Sequence, residues 1–412
     1  MLRPRLGIRA AVFAAAIALL APAAAAASLS SRLAGGMRPA GAFSGAYVYN
    51  ATDGRPVLRW RENRARILAS NTKLFTTAAA LDRFGPEATL GTEVLGAGSL
   101  GADGVWHGSL YMRGGGDPTF GSRRFVRRNY GRGGTVETLA ARVAMTGIAR
   151  VTGRVYGDES RFDSLRGGPA SGFGTSFWVG PLSALSFNRG LAGSGGSAFQ
   201  VKPSLFAARR LDAALERRGV QVAKTPRRGR VPSSANVLAR VDSPSMEHLA
   251  RMTNKPSDNF FAEMLLKDLA LHATGKGTTP RGARLAAGFA RRVGSRVRLV
   301  DGSGLSRADR ASPYRVGRLL LAMISRREFG AFYRSLPEAG SDGTLAGRMR
   351  GGPARGRCHA KTGTLSNVSA LSGYCTARSG DVYVFSILMN GVRPAPARRL
   401  QDAMAQAIAG VR

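Results

Sequence analysis

The sequence predicts an α/β chain in which one domain is assembled from both ends and a largely β segment is inserted between them. Two observations lead there. Near the start, residues 45–49 and 57–60 are short β-type runs joined through Ala51-Thr52-Asp53-Gly54, a hairpin signal. Near the end, residues 356–364, 369–376 and 382–389 read as three more strands, and residues 395–409 as a helix with Leu400, Met404, Ala407 and Ile408 at helical spacing. The middle, residues 95–240, is Gly-rich and strand-like. It holds one expected helix, residues 205–218, and a low-complexity Gly/Ser join at residues 190–197. The predicted organisation is a leader over 1–27, a domain from 28–94 with 241–412, and an insertion over 95–240.

Composition narrows the function. The chain has 412 residues, 44% of them hydrophobic, enough to bury ordinary cores and to exclude wholesale disorder. Two cysteines and the scattered His107, His248, His272 and His359 offer no metal-ligand spacing, so neither a metal nor another cofactor is expected. Basic residues outnumber acidic ones 61 to 25, a net charge of +36, and only seven of the 61 are lysine. A lysine in a chain that otherwise uses arginine can mark a place where arginine would not do, because lysine gives up its proton at reachable cost and arginine does not.

Residues 1–27 read as a secretory signal: Arg3, Arg5 and Arg9 precede an apolar run that ends in Ala25-Ala26-Ala27. The mature chain has no other apolar run long enough to span a membrane, so an exported protein without an integral membrane segment is expected, in the periplasm, the wall or the medium. Export bears on the charge. The stretch from Arg123 to Arg132 interleaves arginine with Phe125 and Tyr130 as nucleic-acid binders do, but outside the membrane the available polyanions are wall polymers and lipid headgroups. No nucleic-acid partner is expected; the summed field draws anionic partners and substrates.

Three short motifs carry chemistry. Ser70-Asn71-Thr72-Lys73 precedes the periodic Leu74, Phe75, Ala78 and Leu81, which puts the serine at a helix start and the lysine one turn on, on the same face. An amine held neutral there can take the hydroxyl proton and make a nucleophile of the serine. Ser257-Asp258-Asn259 lies on a helix-entry turn before the apolar run 260–271, where an N-cap explains the same residues. Lys361-Thr362-Gly363-Thr364 lies on a strand, where glycine permits close backbone approach and the lysine and threonines can hold a carboxylate. Each match is common alone. In this order, on helix, loop and strand, they form the S-x-x-K, S-D-N, K-T-G set of penicillin-binding proteins and class A β-lactamases.

With residues 113–118, 183–188, 257–265, 301–307, 343–345 and 360–374, the chain resembles the low-molecular-mass penicillin-binding proteins of the D-alanyl-D-alanine carboxypeptidase/endopeptidase type, peptidase family S13. The resemblance implies a DD-peptidase/β-lactamase-like domain, with an antiparallel five-stranded sheet flanked by helices. It implies peptidoglycan stem peptides as substrates and acylation by β-lactam antibiotics. Ser70 would be the nucleophile and Lys73 its base. Ser257 and Lys361 would relay the proton, Asn259 would hold the substrate amide, and the N–H groups of Ser70 and Thr364 would receive the oxyanion. Thr362, Gly363 and Thr364 would line the place of the terminal carboxylate. Arg307 and Asp158 would bind the zwitterionic end of a diamino-acid side chain. The interval between the first two motifs is shorter than the family's, which predicts a shortened insertion. A serine β-lactamase or esterase on the same fold, or a non-catalytic wall-binding protein, stays open as an alternative. A G-x-S-x-G hydrolase does not, because the sequence has no such elbow.

The two cysteines add a register test. If Ser366-Asn367 is the turn after the third-motif strand, Cys358 faces Cys375 across the pair, on the side opposite Lys361. A disulfide and two buried thiols both remain open.

Overall fold

The computed structural model describes residues 29–193 and 198–412. The expected leader and residues 194–197 of the Gly/Ser join lie outside the described residues. In chain order the elements are β1 (Gly45–Asn50), β2 (Arg55–Trp60), α1 (Thr72–Phe84), β3 (Gly91–Leu100), β4 (Val105–Arg113), α2 (Arg123–Asn129), α3 (Val136–Ala144), β5 (Arg150–Asp158), α4 (Pro203–Glu216), β6 (Gln221–Arg228) and β7 (Asn236–Asp242). They continue with α5 (Met246–Asn254), α6 (Asn259–Thr274), α7 (Thr279–Arg292), α8 (Pro313–Ile324), α9 (Phe329–Ser335), β8 (Cys358–Leu365), β9 (Val368–Thr376), β10 (Val382–Asn390) and α10 (Pro394–Ala409). The described residues form two compact units: 29–66 with 311–321 and 337–412, and 67–193 and 198–310 with 322–336.

The first unit holds the five-stranded antiparallel sheet, in the order β8-β9-β10-β1-β2. One face packs on α10 and on residues 29–37 through Leu33, Met37, Phe385, Met404 and Ile408. On the other, Tyr47 meets Tyr314 edge-on and the Tyr374 hydroxyl donates to the Leu320 carbonyl. Covering both faces explains why β9 and β10 are buried along nearly their whole length without alternation. The turn at Ser366-Asn367 sets Cys358 opposite Cys375, and the two form a disulfide. Cys358 lies on the α10 side of the sheet, with its Sγ near the Ala405 carbonyl.

In the second unit, α1 packs against α5, α6 and α7, and residues 260–270 of α6 are buried all round. A second sheet runs β6-β5-β4-β3-β7. The sequence leads one to expect a single helix between residues 95 and 240; α2 and α3 are there as well. In α3 the buried Val136, Leu139, Ala140 and Val143 follow helical spacing behind a Thr135 cap, a signal hidden by the neighbouring glycines. The sheet is also mixed: β4–β5 and β5–β6 are parallel, which requires the α2–α3 and α4 crossovers. Among the described residues no helix is long and apolar enough to cross a membrane.

Candidate active site

Ser70 sits on a short 3-10 turn, Ala69–Asn71, that feeds α1. Ala69 is in the left-handed region at φ 47°. Opposite it, a Cβ on Gly304 would fall 1.8 Å from the Ala69 carbonyl oxygen, so only glycine lets the 301–309 loop come this close. Lys73, in the first turn of α1, is wholly buried. Its Nζ lies 3.0 Å from Ser70 Oγ, 2.7 Å from Asn259 Oδ1 and 2.7 Å from the Ser303 carbonyl. The ammonium thus has an acceptor for each of its three protons, and none of these acceptors carries a formal charge.

That arrangement makes the proton easy to lose. Burial pulls the Lys73 pKa down to about 8, against the opposing pull of Asp301, Asp258, Glu263 and Asp309. Burial and the nearby Asp301 raise both Glu263 and Asp309, which weakens their hold on the lysine charge. These acids instead shape the loop. Glu263 Oε1 accepts from the N–H groups of Gly302 and Ser303, at 3.0 and 2.9 Å, and Asp301 accepts from those of Gly304 and Ser306, at 2.6 and 2.8 Å. The Ser303 carbonyl is thereby fixed toward Lys73. No side-chain pattern announces a backbone acceptor, so only the run Gly302-Ser303-Gly304 hinted at it.

The second motif divides its labour. Asp258 caps α6 by accepting from Phe261 N–H at 3.0 Å and pairs with Arg189 at 2.5 Å. Ser257, at φ 62°, turns the chain into that helix. Asn259 Oδ1 accepts from Lys73, and its Nδ2 donates to the Trp178 carbonyl at 3.1 Å. The exposed aromatic pair Phe177–Trp178 beside Asn259, and the Arg189 brace on Asp258, had no sequence signal. Ser70, Lys73 and Asn259 are therefore brought together, and Ser257 lies two residues before Asn259.

In the other unit, β8 is the edge strand of its sheet. Pro337–Ala339 covers its first half, through Ala339 N–H to Cys358 O and Ala360 N–H to Pro337 O. Lys361 is wholly buried and its Nζ donates to the Thr362 carbonyl at 3.0 Å. The Thr362 hydroxyl meets Thr344 Oγ1 at 2.7 Å; the exposed Thr364 accepts from Arg398 at 3.1 Å. Gly363 lies between them.

The last two residues fare differently. Arg307 is exposed, on the loop that presents Ser303 to Lys73. Asp158 is 2% exposed at the end of β5, with Oδ1 accepting from Ser160 N–H at 2.7 Å and Oδ2 from Val231 N–H at 2.8 Å. These bonds brace a strand end to the 229–231 turn, and Asp158 also lines a cavity with Glu159, Arg166 and Arg228.

The sequence matches the D-Ala-D-Ala carboxypeptidase 3 (S13) family over residues 25–192 and 194–411. It is 30% identical to the D-alanyl-D-alanine carboxypeptidase of Actinomadura sp. (strain R39), covering 90% of this chain and 81% of that one. Carboxypeptidase DacB of Mycolicibacterium smegmatis is 32% identical over 82% of this chain and 74% of its own length. Among solved structures, penicillin binding protein 4 (dacB) from Haemophilus influenzae superposes with a TM-score of 0.77 at 20% identity, over 92% of this chain and 99% of that one, and so shares the fold. With a match running almost from end to end, and the serine–lysine pair seated at a helix start, the chain belongs to the S13 family of D-Ala-D-Ala carboxypeptidases.

Proposed function

We propose that this chain is an exported serine DD-peptidase that removes the terminal D-Ala of peptidoglycan stem peptides, also cuts D-amino-acid cross-links, and is acylated by β-lactams. The observation that carries this is the buried Lys73 amine, 3.0 Å from Ser70 Oγ and lowered to about 8. At neutral pH roughly a tenth of such an amine is free base, enough to act as a general base.

The neutral Lys73 accepts the Ser70 proton as Oγ attacks the carbonyl of the penultimate D-Ala. The N–H groups of Ser70 and Thr364 stabilise the oxyanion, and Ser257 with Lys361 passes a proton to the departing D-Ala amine. The edge of β8 pairs with the substrate backbone, while Thr362, Gly363 and Thr364 receive the terminal carboxylate. Water then hydrolyses the acyl-enzyme. Residues 28–94 with 241–412 form the peptidase domain in this reading, and residues 95–240 an insertion shortened relative to the family. Arg307 selects a peptide with a free diamino-acid end. Export rests on the expected leader.

Mass spectrometry of the full chain with benzylpenicillin tests the assignment. One covalent acyl group, mapped to the peptide containing Ser70 and lost in Ser70→Ala, is expected, together with release of D-Ala from pentapeptide. No adduct, or one that survives the substitution, overturns it.

A further inference from the structure

Away from the serine centre, the second unit carries a cavity of about 910 Å³ between α2 and the end of α4, lined by Arg123, Arg124, Arg127, Arg128, Arg217 and Arg218. A single acid, Glu137, lies in its lining, and one of its oxygens is occupied by the backbone N–H of Arg123. An adjoining cavity of about 570 Å³ shares Arg124, Arg128, Glu137 and Arg217 and extends the groove past Asn188 to Arg210, whose guanidinium stacks 4.7 Å from the Phe206 ring.

What sets these arginines apart is their convergence on one concave lining without carboxylates to match their number. Around the sheet of the same unit, by contrast, converging guanidiniums share an acid: Arg113, Arg161 and Arg240 meet at Glu93, and Arg166 and Arg228 at Glu159. Among the described residues none of the groove arginines is paired with a carboxylate. On α2, Arg123 with Arg127 and Arg124 with Arg128 are like charges at the i, i+4 spacing, which destabilises a helix unless an anion intervenes. Guanidinium forks match the oxygens of phosphate and carboxylate groups. A concave, elongated lining with charge along its whole length suits a chain of anions better than one small ion. No large exposed hydrophobic residue stands among the lining to enter a bilayer.

We propose that this groove binds a linear polyanion, a polymer bearing regularly spaced oxyanion groups, and so holds the enzyme to its surroundings through a surface separate from the serine centre. Occupancy would leave Ser70 free to react.

The test titrates the full chain with long-chain linear polyphosphate, measured by fluorescence anisotropy across a salt series. Arg124→Glu, Arg128→Glu and Arg217→Glu combined should weaken binding at least about tenfold and reduce the salt slope by roughly 2 to 3. A control with the same change in net charge, Arg281→Glu, Arg284→Glu and Arg291→Glu on the exposed face of α7, should weaken it far less. Equal losses in the two variants would show a diffuse field and overturn the site. Binding confined to phosphatidylglycerol vesicles, or orthophosphate binding as tightly as the polymer, would overturn the polymer. If the groove variant fails to fold, phenylglyoxal footprinting of the unaltered protein decides. Polyphosphate should protect Arg124, Arg128 and Arg217 but not the α7 arginines; even protection of both sets would contradict the proposal.

Discussion

Lys73 and Lys267 are both wholly buried in the same unit, and burial lowers the pKa of each, yet their surroundings differ in one respect. Lys267 donates to the Asp163 carboxylate at 2.5 Å and to the Leu165 carbonyl at 3.0 Å. Its charge is matched on the spot, so it ties α6 to the 163–165 turn as an ion. Lys73 meets a hydroxyl, an amide oxygen and a backbone carbonyl, while the acids behind it spend their oxygens on backbone N–H groups. A buried lysine with a carboxylate partner stays a cation; one with only neutral acceptors becomes a base.

The sharpest way to break this contrast is Lys73→Arg. Arginine keeps the charge and cannot give up the proton, so penicillin acylation should fall roughly 10²- to 10⁴-fold in a protein that still unfolds cooperatively. Near wild-type acylation would remove Lys73 from the role of base. The pH profile comes next in size. Acylation should rise about tenfold per unit below the Lys73 pKa of about 8 and level off above it, because the neutral amine is the active form. The sign for stability runs the same way. With the folded pKa below the unfolded one, the unfolded chain binds the extra proton between them, so this residue adds stability as pH rises from about 8 toward the ordinary lysine value.

Arg307 asks whether the loop that orients Ser303 also reads substrate. Arg307→Ala should lower kcat/KM about tenfold for a peptide with a free diamino-acid end and leave penicillin acylation nearly unchanged. Equal loss on both substrates would make it part of the loop's support. The smallest kinetic effect belongs to Lys267→Met. Acylation should stay within about threefold, while urea unfolding should show a loss of about 2 to 4 kcal/mol from the broken ion pair, toward the lower end because Asp163 keeps some solvent contact.

Much of this was legible because the signals were local. The helix start at Ser70, the turn at Ser257 and the register that sets Cys358 on Cys375 each follow from spacing within one element or one hairpin. What the sequence hid came from contacts distant in the chain. The Ser303 carbonyl on Lys73 is a backbone group 230 residues away, placed by Glu263 and Asp301. Asp158 was a candidate site acid through the resemblance alone, and only the fold shows both its oxygens turned to backbone donors. The parallel strand pairs of the second unit were likewise invisible, since each needs a crossover helix to exist first.

Lys73 should lose its proton more readily than Lys267, which is as deeply buried in the same unit. With only seven lysines, protein labelled with 13Cε-lysine gives a spectrum simple enough to assign Lys73 by its absence in Lys73→Arg. The Lys73 signal should titrate near pH 8 while that of Lys267 titrates above it. A Lys73 signal that stays protonated to the ordinary lysine value of about 10.4 would contradict it.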